Sequence, residues 1–155
     1  LSTDTASSWD VVKDAVRRYQ YMGAIFDTVA LLQPTSPLRS AEDIIAGYNM
    51  MKEKDANGVV AGCEVDHSPL WANTLPEDLS LTEFINSDLV NRPRQSLPTY
   101  YRISGALYIV KTKYLMSTNN IYDDKCFAIV LPKERSVDID DKMDLIIAEA
   151  LMKLS

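Results

Sequence analysis

Three short stretches of the 155-residue chain concentrate side chains that could do chemistry. In 136-SVDIDDKMD-144, Asp138 and Asp140 flank Ile139. Residues i and i+2 of extended backbone point to one face, so two carboxylates would stand together, an arrangement that suits a hard cation such as Mg²⁺. The competing reading is that they cap the helix that follows and stabilise its positive end. Asp141 and Asp144 fit a solvated first turn of that helix. In 31-LLQPTSPLR-39 an apolar run ends in Gln33, two hydroxyls between prolines, and a cation. Gln33 offers a donor and an acceptor, Thr35 and Ser36 offer hydroxyls, and Arg39 offers a fork for carboxylate or phosphate. Pro34 and Pro37 lower the entropy lost on ordering the loop. The same residues also describe a rigid strand–helix connection whose hydroxyls cap the helix. In 92-RPRQSLPTYYRISGALYI-109, Arg92, Arg94 and Arg102 stand beside Tyr100 and Tyr101. They could hold an anionic substrate or anchor an edge or dimer contact.

The elements that must carry these groups follow from periodicity. Thr5, Ser7 or Ser8 can cap a first helix, whose apolar residues Val12, Ala15, Val16 and Tyr19 recur at helical spacing. Phe26 to Leu32 reads as a short strand. Ser40 opens a second helix with Asp43 three residues on, a weak capping box, and the stripe Ala41, Ile44, Ile45, Tyr48 and Met51. Asn57-Gly58 is a turn and 59-VVAGCEV-65 a buried strand. From His67 to Arg102 the chain is irregular and contains four prolines. A loop of that length is functional or belongs to an interface. Strands return at 105-GALYIVK-111 and at Cys126 to Leu131. Ile139, Met143, Ile146, Ile147, Ala150, Leu151 and Leu154 predict an apolar stripe on a C-terminal helix. The alternation predicts a single α/β domain over residues 1–155 with a largely parallel sheet, and ligands sit beyond the carboxyl ends of such strands.

Totals exclude some functions. A net charge of −6 and a pI near 4.7 argue against a nucleic-acid surface or an anionic membrane partner. They leave a phosphate substrate open, since one Arg or a bound Mg²⁺ reverses a local field. Cys63 and Cys126 read as reduced core thiols of a cytoplasmic protein. No apolar run approaches a membrane span, and LSTDTASSWD lacks the features of a signal peptide. His67, the single histidine, gives no triad or zinc site and reads as a loop residue. None of the five glycines forms a phosphate-cradling motif.

The segments 3-TDTASS-8, 31-LLQPTSPLR-39, 94-RQSLPTYYRISGALYI-109 and 136-SVDIDDKMD-144, in this order, resemble the acylneuraminate cytidylyltransferases, or CMP-sialic acid synthetases. The resemblance implies a three-layer α/β/α fold of the nucleotide-diphospho-sugar transferase type, with the 33–39 loop in the floor of the site. It implies a reaction in which the anomeric hydroxyl of a nonulosonic acid attacks the α-phosphate of CTP and pyrophosphate leaves. Asp138 and Asp140 would be Mg²⁺ ligands and, with Arg102, the catalytic group. Ala6 and Ser8 would lie along the nucleotide. Gln33 and Arg102 would hold the sugar acid, the Arg through its carboxylate. Tyr108 and Phe127 would line the sugar pocket, donated across a homodimer formed through the arm 67–102. Ser104 stands where the family usually has Asn, so its hydrogen bond to substrate is lost or runs through water. Trp71 stands where the sialic-acid enzymes often carry Lys, and HSPLWANTLPEDLS is more like bacterial enzymes for legionaminic or related diamino sugars. The family's opening strand and phosphate loop are not in this sequence, so the chain alone is expected to be a poor catalyst or none. Two alternatives remain: a non-catalytic binding or dimerisation module, and a cytidylyltransferase for another keto-sugar acid.

Overall fold

The computed structural model describes residues 7–154. The elements run α1 (Ser8–Tyr21), β1 (Thr28–Leu31), α2 (Ala41–Glu53), β2 (Gly58–Glu64), β3 (Tyr101–Lys111), α3 (Thr112–Ser117), β4 (Cys126–Val130) and α4 (Lys142–Met152). The predicted order is reproduced, with α3 added. Between β2 and β3 the chain makes two single 3-10 turns, Pro69–Trp71 and Arg94–Ser96, and is otherwise irregular. Tyr101 and Arg102 belong to β3 rather than to this arm.

The α/β class holds, but the sheet is mixed rather than largely parallel. Its order is β1-β3-β2-β4. β3 pairs antiparallel with β1 and with β2, while β2 and β4 pair in parallel. The reason lies in the connection. Parallel neighbours need a crossover, usually a helix, whereas the arm after β2 supplies none. It leaves and re-enters at the same end of the sheet, so β3 returns reversed. β1, β2 and β4 therefore all run one way.

Both faces of the sheet are covered, as a three-layer fold requires. Alternation along β2 sends Val59 and Ala61 to one side with Leu107, Ile109 and Met51 of α2, while Val60 faces the other with Val110 and Leu115 of α3. Trp9 and Val12 of α1 pack on that second cluster. Each fully buried side chain of this kind contributes about 1.5–3 kcal/mol. Gly47 lets α2 lie close: a Cβ there would meet Ile109 Cδ1 at 2.7 Å and Leu107 Cδ2 at 3.0 Å.

The helix starts are explained by their caps. Ser7 caps α1, Ser40 and Asp43 form the expected capping box of α2, and Asp141 with Asp144 forms a second box at α4. α4 departs from its predicted stripe. Its less exposed positions are Asp144, Ala148 and Leu151, while Met143, Ile146 and Leu154 face solvent.

Candidate active site

Because β3 runs against its neighbours, its amino end lies beside the carboxyl ends of β1, β2 and β4. Four segments converge there: the 33–39 loop, the start of the arm, Arg102 and the 132–140 segment. A cavity of ≈ 460 Å³ opens there, lined by Cys63, Asp66, Arg102, Lys133, Asp138 and Asp140 among others, with the 33–39 loop outside its lining. With Asp144, four carboxylates face two cations there.

The 33–39 loop is a closed unit. Arg39 Nη1 donates to the carbonyls of Gln33 (2.8 Å) and Ser36 (2.6 Å), and Ser36 N donates to Gln33 O at 3.2 Å. The fork that the sequence offered to a ligand thus serves the loop's own backbone. Gln33 N donates to Gly105 O at 3.2 Å, and the Gln33 carboxamide lies over the α-carbon of Gly105. This close approach is allowed because Gly105 has no Cβ. β3 is irregular here: between Val60↔Tyr108 and Gly62↔Ile103, the register moves two residues along β2 and five along β3. Bulges of this sort re-aim side chains next to sites.

The loop is stitched to the carboxylate segment. The buried Ser36 hydroxyl donates to Asp138 Oδ1 at 3.3 Å, and Ile139 N donates to Thr35 O at 2.8 Å. Arg102 Nη2 donates to Ser136 O at 2.8 Å. The two readings of the aspartates are now separable. Asp141 Oδ1 accepts from Met143 N (2.6 Å) and Asp144 N (3.0 Å), and Asp144 Oδ2 accepts from Asp140 N and Asp141 N, both at 3.1 Å. Capping is done by Asp141 and Asp144, which are therefore not a merely solvated turn. Asp138 and Asp140, whose side chains take no part in capping, line the cavity together with Asp144.

A further strut holds this segment. Arg135 donates Nε to Asp43 Oδ2 (3.0 Å) and Nη2 to Asp43 Oδ1 (2.9 Å), tying it to the N-terminus of α2. Burial pushes the Asp43 carboxyl up, but the Arg135 bonds and the Ser40 N–H outweigh it and hold it below the usual carboxylate range. A depressed folded-state pKa contributes stability that is present above the unfolded value, about pH 4, and is lost as pH falls through the folded one. Arg135→Met is therefore expected to lower stability by about 1–2 kcal/mol at pH 7, a figure reduced for water around the partly exposed guanidinium. The deficit should shrink as pH falls and Asp43 takes up its proton in the folded state. Thermal unfolding from pH 7 to pH 2.5 measures this, and a deficit constant across the range would mean that Arg135 acts by packing alone.

The remaining sequence-derived residues scatter. Ala6 lies outside the described residues. Ser8 is the exposed first residue of α1. Ser104 is buried, and its Oγ accepts from Ala106 N at 3.3 Å, so it serves its own strand. Tyr108 packs edge-on against Trp9 at 5.6 Å on the α1 side. Burial raises its phenol pKa, followed by the effects of Tyr122 and Asp138. Phe127 is on β4, and its register partner Val59 belongs to the α2-side cluster. Within one chain Tyr108 and Phe127 therefore lie on opposite faces of the sheet. His67 and Trp71 are in the arm, and neither lines the cavity. Sequence reasoning missed Cys63, Asp66, Lys133, Gly105 and the Arg135–Asp43 pair. Only Gly105 carried a local signal, since a glycine inside a strand marks a bulge or a close approach.

Among the described residues no group of three or more His, Cys, Asp or Glu side chains could hold a metal ion. Mg²⁺ does not need one. It takes one or two protein carboxylates and completes its shell with phosphate oxygens and water, so the Asp138–Asp140 pair fits its chemistry. No helix is long and apolar enough to cross a membrane among the described residues.

Comparison with solved structures gives the class of fold. A 4-diphosphocytidyl-2C-methyl-D-erythritol synthase from Anaerococcus prevotii aligns over 96% of this chain and 65% of its own, with a TM-score of 0.62 at 12% identity. A CMP:2-keto-3-deoxy-manno-octonic acid synthetase complexed with CTP aligns over 97% and 70%, also at 0.62 and 12%. The chain shares its fold with these two enzymes. No protein-family model matches the chain. Curated relatives carry the resemblance further. The N-acylneuraminate cytidylyltransferase of Escherichia coli is 30% identical over 148 residues, which is 96% of this chain and 34% of that protein. The CMP-N,N'-diacetyllegionaminic acid synthase of Legionella pneumophila is 29% identical over 162 residues, 100% of this chain and 66% of that protein. The pseudaminic acid cytidylyltransferase of Campylobacter jejuni is 28% identical over 155 residues, with the same two coverages. The similarity to the acylneuraminate cytidylyltransferases and their legionaminic and pseudaminic relatives thus extends along nearly the whole chain. The chain spans about one third to two thirds of the length of these relatives.

Proposed function

We propose that this chain supplies the acid-binding and carboxylate side of a cytidylyltransferase that transfers CMP from CTP to a nonulosonic acid. One observation carries the reading most: Asp138 and Asp140, relieved of capping by Asp141 and Asp144, line the same cavity as Arg102. The similarity to relatives named for sialic, legionaminic and pseudaminic acids supports the substrate class. In the reaction the anomeric hydroxyl gives up its proton to water as its oxygen forms a bond to the α-phosphorus, the bond to the β-phosphate oxygen breaks, and pyrophosphate leaves with the electron pair. Such transfers rest on positioning and charge stabilisation. Arg102, fixed on Ser136 O, presents a rigid fork to the acid's carboxylate. Gln33, held over Gly105, presents an amide to the sugar. Asp138 and Asp140 would hold Mg²⁺. When bound, Mg²⁺ supplies positive charge against the phosphate oxygens that gain negative charge at the transition state.

The arm is assigned to a homodimer contact. Leu75, Leu79, Leu81 and Val90 are exposed on it, and Leu81 and Val90 share one cleft with Phe84 and Ile85, apolar surface that such a contact would cover. The chemistry is assigned to the cytoplasm, in keeping with two free cysteines.

The test is pyrophosphate release from CTP and Mg²⁺ with a panel of N-acetylneuraminate, N,N'-diacetyllegionaminate, pseudaminate and 2-keto-3-deoxy-manno-octonate. It is run on this chain and on a form that includes any adjoining native sequence. The longer form is expected to be the more active, since the matched relatives are longer. Release with one acid names the substrate. Silence with every acid in both forms would overturn the reading in favour of a binding or dimerisation module.

A further inference from the structure

The reading above leaves two charged residues of the cavity without a task. Lys133 opens the single turn that follows β4, and Asp66 lies just beyond β2. Lys133 Nζ meets Asp66 Oδ1 at 2.7 Å, with side-chain exposures of 45% and 79%. The pair links two walls of the cavity. The Lys133 hydrogen bond and charge, with smaller contributions from His67 and Arg102, hold the Asp66 carboxyl below the usual range. Asp66 therefore stands in the field of both cavity cations.

An exposed ion pair adds little to stability, because water solvates both partners. This bond aims the ammonium more than it holds the fold, and it can be exchanged. Arg102 is different: its guanidinium is anchored to Ser136 O, and its strand position pairs with Cys63, another lining residue. A rigid fork and a rotatable, compact ammonium thus share one cavity. An incoming carboxylate would meet the attraction of both cations and the repulsion of Asp66.

We infer that Lys133 is a second carboxylate-binding residue for the acid substrate, held in position by Asp66 and transferred to the substrate on binding. This rests on the proposed function, which assigns the carboxylate to Arg102 alone. It gives the two partners of one ion pair opposite effects. Lys133→Gln removes an attractive charge and is expected to raise the KM for the acid about tenfold, with the KM for CTP changed by less than about twofold. Asp66→Asn removes the competitor and a like charge, and is expected to lower the KM for the acid about two- to fivefold.

The experiment measures steady-state pyrophosphate release in the active form found with the panel, for the parent and both variants. The acid and CTP are varied separately, and circular dichroism checks folding. Opposite shifts in the acid KM support the inference. Weakening by both variants would make the pair structural and overturn it. An unchanged acid KM in Lys133→Gln, or a larger effect on CTP than on the acid, would also overturn it while leaving the proposed function intact. No turnover by the parent with any acid overturns the proposed function, and this inference with it.

Discussion

Gly105→Ala is expected to cut turnover about a hundredfold while lowering stability by only about 1 kcal/mol. The added Cβ would fall on the Gln33 side-chain oxygen, and would lie 2.9 Å from Gln33 Cδ and 3.0 Å from Ser36 Oγ. Gly105 is not in the left-handed region, so alanine brings no backbone strain there. The atoms it meets belong to side chains, and the carboxamide can swing away cheaply. What is lost is the position of Gln33 over β3 and, through Ser36, the hydrogen bond to Asp138 Oδ1. The fold survives and the site is misplaced. Steady-state kinetics and thermal unfolding check this together. The double variant Gln33→Ala/Gly105→Ala sharpens it, because with no carboxamide to displace the alanine should cost little more than Gln33→Ala alone. Additive losses would mean that Gly105 matters for some other reason.

The second large effect is expected at the aspartate pair. Asp138→Asn and Asp140→Asn should each reduce turnover about 10²–10³-fold, the scale of losing one charge-stabilising group. Stability should change by less than about 0.5 kcal/mol. Asparagine keeps an oxygen that can accept from Ser36, and Asp140 is exposed. The neighbouring carboxylates supply the contrast. Asp141→Ala removes the N-cap of α4 and should lower stability by about 1 kcal/mol, with a far smaller effect on turnover. Turnover measured across a Mg²⁺ titration, beside thermal unfolding, separates the two pairs. Unchanged turnover of Asp138→Asn and Asp140→Asn at limiting Mg²⁺ would remove them from the site.

Much of the framework was legible because it is written locally. The Ser40–Asp43 capping box and the β2 and β4 runs depend on neighbours in sequence. The turn expected at Asn57-Gly58 lies instead at Lys54 and Asp55, where Asp55 takes a left-handed conformation, and Gly58 already begins β2. α3 was not legible, since Thr112–Ser117 is too short to display a period. Nor was the direction of β3. Nothing in GALYIVK distinguishes a parallel from an antiparallel strand, and the arm before it decides the matter. Within the site, Arg102, Asp138 and Asp140 were readable as unusual charges in unusual places. Of the two readings of the 33–39 loop, the rigid connection is the one its internal bonds match, but the part Arg39 plays in it was not legible because its partners are backbone carbonyls, which no side-chain pattern announces. Lys133 and Asp66 are 67 positions apart, and only the convergence of strand ends brings them together.

The placement of β3 also governs how the chain reaches this state. Its pairing with β1 joins Thr28 to Lys111 and Leu31 to Tyr108, and β2 must hold Cys126 beside Gly58. Contacts so distant in sequence give a high contact order and slow folding, since loop closure must precede the pairing that rewards it. The strand that carries Arg102 pairs with both β1 and β2, so the cavity is complete only when the sheet is. A ligand that bridges Arg102 and the 136–140 segment would clamp β3 to the chain that follows β4. It would therefore retard unfolding far more than it accelerates folding.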